Sequence, residues 1–120
     1  MSNPCSVPVD LGFAVADGED VRMSFQRHIL TVTFTDWQQK AVSFVCHDTL
    51  AFRWQEAEYL VGPEERDDSV YEIEHSSWLG QHRDQACLPE GIPFHHYKMN
   101  FNAAGIFEVL CSKIEKSAEP

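Results

Sequence analysis

Two short runs place chemistry-bearing side chains next to one another: Cys46-His47-Asp48 and His95-His96. The first has the residue types of a nucleophile, a base and an orienting acid. The second offers two imidazoles, the commonest metal ligands. Both runs sit in stretches where apolar and polar residues alternate, the period-two pattern of a strand. Successive strand side chains point to opposite faces. From a regular strand, neither run converges on one reacting atom or one ion. Cys46 therefore reads as a buried thiol beside an exposed His-Asp turn. His95 reads as a hydrogen-bonded imidazole at the sheet margin, in the apolar row with Tyr97. His96 reads as a solvated residue on the mixed face.

The remaining candidates are more scattered. His75 and His82 flank a two-turn interval, and His82 falls on the apolar face of a predicted helix beside Trp78. A pocket lined by His82, His95 and Tyr97 is one alternative, and it would suit a small-molecule-binding or hydrolytic domain. Glu72 and Glu74 share a strand face, an arrangement common on solvated surfaces. There is no Gly-rich phosphate loop and no G-x-S-x-G elbow. The four cysteines, Cys5, Cys46, Cys87 and Cys111, are far apart and form no C-x-x-C. They are expected as free thiols, because structural zinc sites use paired ligands at short spacing. The expectation is no catalytic set, no metal and no cofactor, and the balance leans away from an enzyme.

The charge is the compositional outlier. Nineteen acids against nine bases give a formal net charge of −10 over 120 residues. Phosphate backbones and anionic membrane surfaces are held by clustered Lys and Arg, which this chain lacks. Nucleic acid and membrane are thus excluded as expected partners. No apolar run approaches the roughly 18 residues of a membrane span. The N-terminus lacks the basic and apolar regions of a signal peptide, so the expected location is cytoplasmic. Eight carboxylates fall between Glu56 and Glu74. One reading is a solvated loop. The sharper reading is an electrostatic docking surface for a basic protein, with Glu64, Glu65, Asp67 and Asp68 steering and Trp54 and Tyr59 as aromatic anchors.

These residues need elements to hold them. Alternation predicts strands in 21–35, split by a turn at Gln26–His28, and then at 42–46 and 50–54. A polar break stands at Asp36–Gln39, and a loop at 56–69 carries a short strand near Tyr59–Val61. Another strand is predicted at 70–75. "SSWLGQHRDQACL" predicts a helix over 76–87, capped by Ser76 or Ser77 and ended by Leu88-Pro89. "HHYKMNFNAAGIFEVLC" predicts a hairpin. Its "NAAG" suits a turn with Gly105 at positive φ, placing Phe101 opposite Phe107. The fold class is α+β: one domain over 1–120, with a mainly antiparallel curved sheet of five to seven strands and one short helix packed on it. Residues 1–8 and 115–120 are expected to be poorly ordered.

"VYEIEHSSWL" followed by "HHYKMNFNAAGIFEVLC" resembles a pattern in small uncharacterised bacterial proteins, and "TLAFRWQE" resembles an upstream strand of theirs. Some of these look like immunity proteins for secreted toxins. The resemblance implies a bacterial, non-enzymatic, protein-binding domain, and it carries no functional residue onto this chain. A structural homo-oligomer is the remaining alternative, because Ile106 and Leu110 fall on the mixed face of the hairpin. The sequence leaves the oligomeric state open.

Overall fold

The computed structural model describes residues 3–56, 61–85, 88–89 and 91–117. The elements run β1 (Cys5–Pro8), β2 (Glu19–Gln26), β3 (Ile29–Thr35), β4 (Ala41–His47), β5 (Ala51–Gln55), β6 (Val70–Glu74), α1 (Ser77–Gln85), β7 (His95–Phe101), β8 (Gly105–Cys111) and β9 (Lys113–Lys116). The described residues are mostly antiparallel sheet with one short helix, broadly α+β. The expected sheet of five to seven strands is instead, among the described residues, nine strands in two sheets. One has the order β1-β6-β7-β8-β5 and the other β2-β3-β4-β9. The two additional strands are short and at most partly buried; β1 lies within the N-terminal stretch expected to be poorly ordered, and β9 runs into the C-terminal one. Neither has an apolar alternation to reveal it. They exist through pairing: Cys5–Pro8 runs along Tyr71–Glu74, and Lys113–Lys116 along Phe44–His47.

Local chemistry accounts for the turns. Arg27 and His28 both have positive φ, as the two-residue link between β2 and β3 demands. Asp36 closes the turn before β4 by accepting the N–H groups of Gln38 and Lys40 on one carboxylate oxygen. The β7–β8 hairpin differs from its expected form. Phe101 pairs with Gly105 and Met99 with Phe107, so the register is displaced by two residues. A displacement of two preserves the faces. Gly105 is not at positive φ. The glycine is needed for close approach, because a Cβ there would lie 2.6 Å from Trp54 Cζ2 and 2.9 Å from the Gln55 carbonyl oxygen.

Gly105→Val should therefore destabilise through collision with Trp54. The cost should shrink when the mutation is made in a Trp54→Ala background. Denaturant midpoints of the four proteins in that cycle check this, and independent, additive effects would refute it.

The main core lies between the sheets. Leu30, Val32 and Phe34 of β3 and Val42, Phe44 and Cys46 of β4 face Met99, Phe101, Phe107, Val109 and Cys111 of the other sheet. Phe34 and Phe101 meet edge to face at 5.1 Å between centroids. The other sides of β3 and β4 carry a Thr/Ser/Val row that is only partly covered, so the four-stranded sheet has one buried face. The five-stranded sheet is different. Every residue of β7 from His96 to Phe101 and of β8 from Ile106 to Cys111 is buried. Its second face is covered by α1, through Leu79, Phe94 and Leu110, and by the loop at 61–69.

Candidate functional site

On that second face the alternation of β7 and β8 places His96, Lys98 and Asn100 beside Leu110, Glu108 and Ile106. Polar groups buried here require partners, since an unpaired one costs about 1–3 kcal/mol. Glu108 is the hub of one cluster. It accepts from His96 Nε2 at 2.8 Å and from Arg53 Nε at 2.8 Å. Burial alone would push its carboxyl up. The hydrogen bonds from His96 and Arg53 outweigh that and hold it at about 2. Arg53 comes from the neighbouring β5, directly opposite Glu108, and its guanidinium lies 4.2 Å from the Trp78 ring.

His96 links this hub to the helix. A carboxylate only accepts, so Nε2 donates to Glu108, and in the neutral ring Nδ1 accepts the hydrogen bond of the Ser76 hydroxyl at 2.6 Å. Ser76 Oγ in turn accepts the Leu79 N–H at 3.1 Å, the side-chain cap of α1. Ser76, His96 and Glu108 have the makeup of an acyl-transfer triad. Their setting is that of a clamp. The serine oxygen is engaged as donor and as acceptor, and His96 is only 5% exposed, with the Trp78 ring edge-on at 5.2 Å. The relay fastens α1 to the sheet.

The second cluster fastens the acidic loop. Glu65 turns inward, with its side chain only 4% exposed, and meets Lys98 Nζ at 3.0 Å. It also accepts from Ser6 Oγ, from Asn100 Nδ2 and from the Gly62 N–H. Burial opposes its charge, but these donors together bring its carboxyl below the usual range. The loop backbone is tied as well. The Tyr71 hydroxyl accepts the Arg66 N–H at 2.6 Å, and the Arg66 carbonyl accepts from Asn100 Nδ2 at 2.8 Å. Either side of this anchor, Glu64 and Asp67 face solvent.

Comparison with known proteins finds no matching family, no matching curated protein and no matching solved structure. The site is therefore assigned on its geometry.

Of the residues expected to form an acidic docking surface, Glu64 and Asp67 are exposed, and Asp68 is half-buried and paired with Arg66. Glu65 is the buried anchor described above. Trp54 is half-buried and packs on Phe101 in the main core. Tyr59 lies outside the described residues, as does most of the short strand expected at Tyr59–Val61.

The alternative pocket of His82, His95 and Tyr97 does not assemble. His95 and Tyr97 lie together on the inter-sheet face, with ring centroids 5.5 Å apart, and His95 Nδ1 bonds Glu72 at 2.7 Å. His82 stands against Trp78 on the helix side of the same sheet. Burial, with the nearby Glu72 carboxylate adding to it, pushes the Tyr97 hydroxyl up to about 12, so Tyr97 stays protonated.

The Cys46-His47-Asp48 run diverges as its strand geometry requires. Cys46 meets Cys111 between the sheets, and that contact together with burial pushes the Cys46 thiol far above its ordinary range. His47 turns outward to Glu115, and Asp48 accepts from the Ser112 hydroxyl. Among the described residues no three His, Cys, Asp or Glu side chains group as a metal site, and no helix is long and apolar enough to cross a membrane.

Two expectations are corrected by burial. His96 is not solvated, because Ser76, Glu108 and Trp78 enclose it. Ile106 and Leu110, the motive for a homo-oligomer, are 4% and 0% exposed within the single chain. The residues that sequence reasoning missed are Glu108, Arg53 and Lys98. One signal was available. Polar residues on both central strands of a hairpin need partners if a helix and a loop lie over them, and the same sequence predicted that helix and that loop.

Proposed function

We propose that this protein is a binding module for a basic protein partner, of the inhibitor or immunity type that the sequence resemblance implies. The observation carrying this reading is the buried anchor of the acidic loop. Glu65 and the Asn100–Arg66 bond fix the loop at its middle, so Glu64 and Asp67 are held outward from a set backbone. A solvated loop has no need of such an anchor. A docking surface gains from it, because ordering that is already complete does not oppose association. The net charge of −10 gives the whole molecule the sign that draws in a cationic partner.

The test begins with a partner captured from the native host. Reversing Glu64 and Asp67 to lysine should slow association at low salt and flatten its salt dependence. Such charges act over about 30 Å at 0.01 M ionic strength but only about 8 Å at physiological strength. Unchanged low-salt association would refute the docking role. Glu65 is left intact in this variant, since replacing the anchor would disturb the loop itself.

A further inference from the structure

Two cysteines face each other where the sheets converge. Cys46 belongs to β4 of the four-stranded sheet, and Cys111 ends β8 of the five-stranded one. Each points inward, in step with Phe44 and Val109 two residues before it. Both are 0% exposed, and their thiols are hydrogen-bonded to each other.

The chain path explains the approach. Only Ser112 separates the end of β8 from the start of β9, so the backbone passes from one sheet to the other within a single residue. Packed sheets otherwise stand about 10 Å apart. At this corner the Ser112 N–H donates to the His47 carbonyl at 2.9 Å, and the Ser112 hydroxyl donates to the same oxygen at 3.2 Å. Cys46 and Cys111 immediately precede that bonded pair. Strands β4 and β8 come within 8 Å of each other, Cα to Cα. A disulfide needs Cα atoms about 4.4–6.8 Å apart and side chains turned toward each other, and a corner tied in this way favours both.

We infer that Cys46 and Cys111 are a disulfide site, oxidised as the chain folds by a low-molecular-weight disulfide such as oxidised glutathione. One cysteine thiolate attacks the S–S bond of the oxidant and displaces a glutathione thiolate, leaving a mixed disulfide on the protein. The other cysteine thiolate attacks the protein sulfur of that mixed disulfide and displaces the second glutathione. One S–S bond breaks and one forms. Two protein thiols are oxidised, the oxidant is reduced to two thiols, and these take up the two protons. The timing follows from burial. In the folded protein the contact with Cys111, together with burial, pushes the Cys46 thiol far above its ordinary range, and neither sulfur is open to attack. The bond is made before the core closes and is then shielded from reductants. Cys5 does not compete in the finished fold, because it is exposed on β1, three strands from β8. The inference is independent of the docking reading.

The experiment uses the full chain with Cys5→Ser and Cys87→Ser, so that only this pair can react. Reduced, denatured protein is diluted into native buffer containing oxidised and reduced glutathione, and its thiols are counted by alkylation and mass spectrometry. The expected product has lost two hydrogens, carries no glutathione and yields peptides joined through Cys46 and Cys111. It should melt roughly 10 °C above the reduced form. Dithiothreitol should cleave it at least about a hundredfold more slowly in native buffer than in denaturant, because attack on a buried sulfur waits on opening of the fold. Folded protein that keeps both thiols, or holds glutathione on either, would overturn the site. A joined product that melts below the reduced form would do the same, since the bond would then form only by distorting the core. Equally fast oxidation of protein that is already folded would overturn the coupling to folding. Peptide mapping of the wild-type chain treated in the same way reads the pairing without any substitution.

Discussion

Replacement of Glu108 by alanine is expected to lower the unfolding free energy by about 1.5–3 kcal/mol, the range for hydrogen bonds to an ionised group when a buried donor is left behind. The carboxylate is 6% exposed and joins His96, Arg53 and, through His96, the cap of α1. Removing it strands the His96 Nε2 proton in a dry site and frees Arg53 from the sheet. His96→Ala should be costly for the same reason, at roughly 1–3 kcal/mol for the buried groups left unpaired.

The effect carries a pH signature. Glu108 is held at about 2 in the folded protein against an ordinary 4.5. A carboxyl lowered by folding stabilises fully above its unfolded value, and the contribution, on the order of 3 kcal/mol, is lost as pH falls through the folded value. Glu65 is shifted in the same direction. Urea unfolding of wild type and Glu108→Gln should therefore show a gap that narrows between pH 4.5 and 2. A gap independent of pH would mean that Glu108 is not the hub.

Phe107→Ala is the second large effect, expected at about 3–5 kcal/mol. Phe107 is fully buried on the central strand β8, flanked by Met99 and Trp54 on its neighbours and facing Phe44 across the sheets at 6.2 Å. Strands on both sides and the opposing sheet are locked by pairing, so the site has little freedom to collapse into the void. Phe101→Ala should cost a similar amount, since Phe101 touches Phe34 and Trp54. Denaturant series measure both, and a change under about 1 kcal/mol at Phe107 would contradict its place in the core.

Phe101, Phe107 and Met99 were legible in the sequence because alternation assigns a face whatever the register. Ser76 was legible as a cap because helix ends need side-chain acceptors. His96, Lys98 and Glu108 were misread by the same rule that placed the phenylalanines. A polar row on a strand normally means water, and only the long-range arrival of Ser76, Glu65 and Arg53 makes it an interior. The register shift at Gly105 came from a contact with Trp54 that no local turn rule contains. Cys5–Pro8 and Lys113–Lys116 went unseen because their strand character lies in the edges they join.

Among the described residues strand β9 pairs with the edge of β4 that β3 leaves open, and Ala41–His47 is apolar apart from Ser43 and His47. During synthesis β4 leaves the ribosome long before β9 does. Until Lys113–Lys116 emerges, the nascent chain exposes an open, aggregation-prone edge. Completion of the four-stranded sheet thus waits on its last strand in the chain order, and deletion of Lys113–Lys116 should be most visible as insolubility in the cell.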